Sequence, residues 1–151
     1  MTEQNSITAV DSLIANEFEV EVNGERVHGV FRITGLTTFR LDAEGGGEAS
    51  MERIFPPFQL AKMVQRDPNS VFNKWLRETV TTAPGHTRPR RTIVLKAVDD
   101  GVETRRWTFN GAWISEVAYA PFDSGSSQMI EEMATIQYDS IDETWPAGSD
   151  S

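Results

Sequence analysis

Residues 92–109 read TIVLKAVDDGVETRRWTF, and this stretch decides the fold of the chain. Its first half alternates apolar residues on one face, which is the two-residue period of a half-buried β-strand. Asp-Asp-Gly at 99–101 consists of residues that tolerate turn conformations. The second half returns with Trp107 and Phe109 in register for the same face, so the stretch predicts an antiparallel hairpin. Asn110-Gly111 follows directly and predicts either another tight turn or a bulge.

Further strand signals lie on both sides of this hairpin. Residues 18–22 (FEVEV) alternate apolar and acidic side chains, and Asn23-Gly24 after them is a hairpin-turn signal. Residues 27–41 predict one long extended segment, interrupted only by glycines that suggest bends. Residues 112–120 and 130–141 predict two more strands, the second of them long and final.

One segment has a helical pattern. Asp67-Pro68-Asn69-Ser70 supplies a cap and a proline that the first turn tolerates. The apolar residues that follow recur at helical spacing: Val71, Phe72, Trp75, Leu76 and Val80. Residues 58–64 are expected to add at most a short turn. The predicted fold class is therefore mainly β: an antiparallel β-barrel or two-sheet sandwich with one flanking α-helix.

Composition excludes several classes of protein. The chain has 151 residues, a formal net charge of -9 and no cysteine, which suits a single domain that folds without disulfides. The acidic balance argues against a general nucleic-acid binder, because such proteins contact phosphates mainly through Lys and Arg. Neither a membrane span nor a secretory signal is predicted. We expect a cytoplasmic protein with one β-barrel domain over 16–145, between flexible segments at 1–15 and 146–151.

The residue types that perform chemistry do not form a recognisable site. His28 is predicted on a strand surface without a second ligand at metal-binding spacing, and His86 lies in a loop without the partners of a triad. Glu131 and Glu132 are neighbours in a strand, so they point to opposite faces, and a solvated face is the default interpretation. Gly45-Gly46-Gly47 lacks the Lys-Ser/Thr of a P-loop. The sequence therefore predicts no catalytic, metal or cofactor residue.

Two regions are candidates for contact between copies of the chain. The basic clusters at 88–91 and 105–106 could meet the acidic surface of a neighbouring copy, or they could be a solvated strand edge. The acidic, Gly-rich loop at 42–50 could be a mobile loop, or a segment that orders on contact. The candidate inter-subunit residues are Asp42, Glu44, Gly45, Gly46, Gly47, Glu48, Arg88, Arg90, Arg91, Arg105 and Arg106.

The order of these segments resembles the tail tube proteins of contractile phages and of phage-tail-like contractile injection systems. The resemblance covers roughly residues 16–142 and rests on four stretches: the opening hairpin with Phe18–Val22 and Phe31–Leu36, the loop Leu41–Gly47, the helix Val71–Arg77, and the closing block Thr92–Ile141. It implies a β-barrel of two packed sheets with one helix, shared with the Hcp proteins of type VI secretion. It also implies a structural subunit without cofactor or catalysis.

The resemblance further implies how such a subunit works. Hexameric rings would join their strands around an inner barrel and stack into a tube. The partners would be other copies, sheath and baseplate proteins, and cargo protein or DNA in the lumen. Three alternatives stay open: a tube-initiating or tube-terminating ring of the same particle, a monomeric or dimeric ligand-binding or adaptor β-barrel with a closed apolar pocket, and a hydrolase that uses His86.

Overall fold

The computed structural model describes residues 17–42 and 47–146, and these residues form eight strands and one α-helix. In chain order they are β1 (Phe18–Val22), β2 (Glu25–Arg26), β3 (Val30–Thr34), β4 (Phe58–Met63), α1 (Val71–Thr81), β5 (Arg91–Asp99), β6 (Val102–Tyr119), β7 (Glu131–Gln137) and β8 (Ser140–Thr144). A single 3-10 turn covers Glu48–Ser50. The mainly β class with one flanking helix is confirmed, whereas the expectation of a flexible segment at 1–15 lies outside the described residues.

The strands form two antiparallel sheets that share β6. A five-stranded sheet has the order β2-β1-β5-β6-β8 and uses the first half of β6. A four-stranded sheet has the order β3-β4-β7-β6 and uses the second half. β6 is one continuous strand, so the predicted strands on either side of Asn110-Gly111 are a single element.

The change of partner along β6 occurs at Gly111, which has a positive φ of 64°. The sequence predicted either a tight turn or a bulge at Asn110-Gly111, and the structure has the bulge, because the strand continues in the same direction. Opposite it, the predicted final strand 130–141 is broken into two strands at Tyr138 and Asp139, where the Asp139 amide donates to the Asn110 carbonyl at 2.9 Å. Because of this break, β7 pairs with β6 in the four-stranded sheet, and β8, directly after it in the chain, pairs with β6 in the five-stranded sheet.

Aromatic side chains fill the core between the two sheets. Phe58 from the four-stranded sheet stacks on Phe109 from the five-stranded sheet with ring centroids 4.4 Å apart, and Tyr138 meets the edge of Phe109 at 5.0 Å. Phe72 and Trp75 from α1 are fully buried in the same cluster. The Trp75 indole donates to the Pro89 carbonyl at 3.0 Å, so its one polar atom is satisfied.

The helix begins where the sequence predicts. The Ser70 hydroxyl accepts the amide of Asn73 at 3.3 Å, which satisfies one of the free donors of the first turn. Val80 lies in α1 as the apolar spacing predicts, but its side chain is 69% exposed, and Thr79 lies on the buried face beside it. Thr79 is tolerated there because its hydroxyl donates to the Trp75 carbonyl one turn earlier.

Two expectations of the fold are wrong. The segment 58–64 is not a short turn, because Phe58–Met63 within it form β4, an interior strand of the four-stranded sheet. Its period of two is hidden in the sequence because Lys62 occupies a core-facing position and Ala61 the opposite face. Residues 27–41 are not one extended segment, because a turn at His28-Gly29 separates β2 from β3 and the backbone after Gly35 is irregular.

Candidate assembly surfaces

Within residues 17–42 and 47–146, the four-stranded sheet ends in two strand edges, on β3 and β6, that no other strand pairs with. β3 pairs only with β4, so its other edge meets no strand among the described residues. At the other end, β5 accompanies β6 only as far as the pair Arg91–Ala112, and residues 113–119 of β6 have a strand, β7, on one side alone. Unpaired edges of this kind are templates for strand addition by another chain.

A groove runs along the unpaired edge of β6. It has a volume of about 410 Å³ and lies between α1 and residues 114–119 of β6. Leu76, Val80, Val117 and Tyr119 supply apolar lining, and Val80 and Tyr119 are 69% and 51% exposed. The groove is open along the strand edge and is not the enclosed apolar pocket that the ligand-binding alternative requires.

One face of the four-stranded sheet, the bare face, is covered by no other described element and is almost uncharged. The other face carries the core, so alternate residues such as Gln59, Thr135 and Gln137 point away from it. Its strands place three charged side chains on this bare face: Arg32 and Glu131, which pair at 2.8 Å across β4, and Glu116. The net charge of -9 is therefore carried mainly elsewhere.

Sequence reasoning missed a buried ion pair in the same sheet. The Lys62 ammonium donates to the Glu132 carboxylate at 2.9 Å, and both side chains are almost fully excluded from solvent. Lys62 also donates to the Met63 carbonyl and lies 5.0 Å from the Phe72 ring centre. The interpretation of Glu132 as part of a solvated face is wrong, because β7 turns it toward α1 and the core. The sequence signal for this pair would have been a charged residue, Lys62 or Glu132, at a position where the alternation of the strand expects an apolar one.

This ion pair extends to the edge of β6. Tyr119 is opposite Glu132 in the pairing of β6 with β7. Burial raises the pKa of the Tyr119 phenol above its usual value, and the neighbouring Glu132 carboxylate, its hydrogen-bond partner, raises it further. Tyr119, which lines the groove beside α1, is thus held by the buried Glu132 carboxylate.

The predicted contact residues of the basic clusters separate into different environments. Arg88 donates to the carbonyls of Thr79, Thr82, Ala83 and His86, and so closes the C-terminal end of α1. It is held within its own chain by the Thr79 carbonyl of the last helical turn, the carbonyl of the C-cap residue Thr82, and two carbonyls of the loop that follows.

Arg90 and Arg91 lie beside the unpaired part of β6. Arg90 is exposed and sits 5.2 Å from the Trp113 ring centre, and Arg91 pairs with Glu78 on α1. Arg90 precedes β5 and Arg91 is its first residue, at the point where β5 stops accompanying β6.

Arg105 and Arg106 lie near the opposite end of the β5–β6 hairpin. Arg106 donates two hydrogen bonds, of 2.6 and 2.7 Å, to the Glu103 carboxylate. These bonds lower the pKa of the Glu103 carboxyl and raise the pKa of the Arg106 guanidinium. Arg105 is 3.8 Å from the Glu143 carboxylate and stacks on Trp145. The structure therefore does not bring the two basic clusters together.

The described loop candidates belong to a two-stranded arm, whose two sides are residues 39–42 and 47–54. Backbone hydrogen bonds from Asp42 to Glu52 and from Ile54 to Arg40, with the bridge Leu41–Arg53, join its two sides. Asp42, Gly47 and the exposed Glu48 lie toward its tip, and Glu44, Gly45 and Gly46 lie outside the described residues. All these residues stay predicted contacts.

The described histidines and carboxylates do not form a catalytic or metal-binding cluster. His28 and His86 are both exposed in turns. In the ranges 17–42 and 47–146, no group of three His, Asp or Glu side chains is arranged to hold a metal ion. No helix in that part of the chain is long and apolar enough to cross a membrane.

Open strand edges, an apolar groove beside one of them and an almost uncharged bare face suit a subunit that assembles with other copies of itself. The family model for T4-like virus tail tube protein gp19 matches residues 14–142, and the chain therefore belongs to this tail tube family. A search of curated proteins finds no match.

Solved structures of related architecture show the same fold at low sequence identity. A chain of the anti-feeding prophage cap, a tube-terminating cap, is 15% identical with a TM-score of 0.69 over 89% of this chain and 91% of that one. A chain of the extended PVC sheath-tube complex of an extracellular contractile injection system is 14% identical, with a TM-score of 0.67 over 93% and 97%. Hcp1 from the E. coli EAEC 042 pathovar is 15% identical, with a TM-score of 0.61 over 89% and 94%.

Proposed function

We propose that copies of this chain close into a hexameric ring by pairing the free edge of β3 in one copy with the free edge of β6 in the next. The observation that carries the proposal is the presence of two unpaired edges at opposite sides of one sheet. A head-to-tail interface of this kind closes into a ring when the rotation between copies permits it. Closure removes edges that would otherwise pair with unrelated chains.

Strand directions support this joint. The four strands β3, β4, β7 and β6 alternate in direction, since each pairs antiparallel with its neighbour. An even number of alternating strands leaves β6 of one copy antiparallel to β3 of the next. The ring would therefore be one uninterrupted antiparallel barrel.

The shape of the subunit supports an assignment of the bare face to the lumen. The five-stranded sheet and α1 cover one face of the four-stranded sheet and make that side of the subunit bulkier. A ring has a longer perimeter outside than inside, so the bulky side faces outward. The bare face, with Arg32 and Glu131 neutralising each other, then forms a nearly uncharged conduit wall.

Several partners follow from this arrangement. Cargo protein or DNA would pass along the bare face, and sheath proteins would meet the charged outer face of the five-stranded sheet, which holds the pairs Glu21–Lys96 and Glu103–Arg106. Baseplate proteins would contact one end of the tube. The assembled location would be a phage-tail-like particle formed in the cytoplasm.

The lateral joint can be tested in the groove beside β6. Val80→Asp places a charge in the apolar groove, whereas Lys74→Gln changes the net charge by the same amount on an exposed part of α1 outside it. Native mass spectrometry is expected to show monomers for Val80→Asp and hexamers for the wild type and Lys74→Gln. Circular dichroism should show both variants folded. Hexamers of Val80→Asp at wild-type abundance would contradict the joint.

A further inference from the structure

Tyr119, the last residue of β6, presents both its backbone and its side chain to the proposed joint. The Ala120 amide donates to the Glu131 carbonyl at 2.9 Å, so these two residues form a hydrogen-bonded pair between β6 and β7. Such pairs alternate with non-bonded pairs in an antiparallel ladder, so Tyr119, one position earlier, belongs to a non-bonded pair. Its N–H and C=O therefore point away from β7, toward the free edge of β6. Its side chain lines the groove beside α1.

The residue opposite Tyr119 in that pair is Glu132. The side chains of a non-bonded pair lie closer together than those of a hydrogen-bonded pair, and the Glu132 carboxylate is the hydrogen-bond partner of the phenol. Glu132 is 1% exposed and accepts from the Lys62 ammonium at 2.9 Å across β4 and β7. A row of three polar side chains thus runs on one face of the sheet, from the interior strand β4 to the free edge of β6.

Stability alone does not explain a buried ion pair at this place. Replacing both partners of such a pair by well-packed apolar residues is often neutral or stabilising, and the best-attested use of buried polar groups is to fix one arrangement of the chain. The arrangement within reach of Glu132 is that of Tyr119. A phenol held by a buried carboxylate keeps its ring in one orientation, although the ring is 51% exposed at an open strand end.

We propose that Lys62 and Glu132 are positioning residues for ring closure, which hold Tyr119 in the orientation that receives β3 of the next copy. This inference rests on the proposed ring and gives the buried pair a role in assembly rather than in stability. A side chain that is ordered before the contact forms loses less conformational freedom on association, so the lateral joint is stronger. The buried pair acts on the joint only through Tyr119, because neither of its charges reaches the free edge.

A double variant separates assembly from stability. Lys62→Met with Glu132→Leu removes the pair without leaving a buried charge, and its urea midpoint should stay near that of the wild type at a dilution where both are monomeric. By native mass spectrometry, the protein concentration that gives half of the chains as hexamers is expected to rise at least about tenfold, from the loss of one charged hydrogen bond per joint. Glu21→Gln with Lys96→Gln is the matched control: it removes an ion pair of the five-stranded sheet, leaves the net charge unchanged and should assemble like the wild type.

Tyr119→Phe tests the same link without a change in the core. The variant keeps the ring and removes only the hydroxyl, so the urea midpoint should be unchanged while hexamers weaken by a similar factor. Added to Lys62→Met with Glu132→Leu, it should have no further effect, because both changes break one contact and their effects are then not additive.

The outcomes distinguish this inference from the proposed ring. Hexamers of Tyr119→Phe or of the double variant at wild-type concentrations, or additive losses in the triple variant, would overturn the inference and leave the lateral joint standing. Wild-type protein that stays monomeric throughout the dilution series would overturn the ring and the inference together.

Discussion

Lys62 and Glu132 face each other across β4 and β7, with 2.9 Å between ammonium and carboxylate and almost no access to solvent. The two strands belong to the sheet whose edges and bare face form the proposed tube wall. Burying two charges is costly, and the cost is offset only while both partners and their hydrogen bonds are present.

Loss of one partner should therefore be severe. Glu132→Gln is expected to lower the free energy of unfolding by about 3–5 kcal/mol, since it leaves the Lys62 ammonium buried without a counter-charge. Urea denaturation would measure this. Glu131→Gln is the matched neighbour in the exposed pair with Arg32, and its effect should stay below about 1 kcal/mol. Lys62→Met combined with Glu132→Leu should recover most of the loss. If Glu132→Gln and Glu131→Gln lowered the free energy of unfolding equally, the interpretation of Lys62 and Glu132 as a buried ion pair would be wrong.

Both tyrosines of the chain should lose their phenol protons at a higher pH than a tyrosine in water. Burial is the main cause that raises the pKa of Tyr119 and of Tyr138, with Glu132 adding to it for Tyr119 and Arg53 opposing it for Tyr138. The folded state holds these protons more tightly than the unfolded state, so the associated stability is complete below about pH 10 and is lost as pH rises through the folded values. Ultraviolet titration of Tyr138→Phe would isolate Tyr119. An ordinary pKa there would refute the expectation.

Arg88 should act through the helix end rather than through a neighbouring copy. Arg88→Ala is expected to lower the free energy of unfolding by about 1–3 kcal/mol, because carbonyls at the end of α1 lose their charged donor. Arg88→Lys should rescue little, since an ammonium lacks the planar fork that reaches four carbonyls. Thermal denaturation with native mass spectrometry would separate stability from assembly. Unchanged stability with lost hexamers would instead support the predicted intermolecular role.

Gly111 should tolerate a side chain less well than Gly101. Both have positive φ, 64° and 81°, so alanine at either position costs about 1–2 kcal/mol from backbone conformation. A Cβ at Gly101 meets open space, whereas one at Gly111 would overlap the Asp139 carboxylate beside the break between β7 and β8. Chemical denaturation should therefore rank Gly111→Ala as the more destabilising variant. The opposite ranking would show that Asp139 moves aside freely.

Local signals predicted much of the fold. The hairpin at 92–109, the turn at Asn23-Gly24 and the start of α1 at Ser70 all depend on neighbouring residues, and the structure confirms them. The family resemblance was readable for the same reason, because it depends on the order of such segments. The interior strand β4 was missed because Lys62 breaks the apolar alternation at a core position.

The candidate surfaces were predicted less well. The basic clusters were visible as charge, but Arg88 serves a helix end and Arg106 serves Glu103, and neither contact can be read from spacing. The groove beside β6 gave no signal, because it depends on where β5 stops accompanying that strand.

The sequence by itself determined the two-residue and helical periods, the turns and the charge balance, because these depend on residues close together in the chain. Only the tertiary structure decided that β6 serves two sheets, that Glu132 is buried and Val80 exposed, and that one sheet face is bare. Alternation assigns a residue to a side of a strand, but whether that side is covered depends on segments far away in the sequence. The free edges of β3 and β6 are the clearest case, since an edge is defined by the strand that is absent from it.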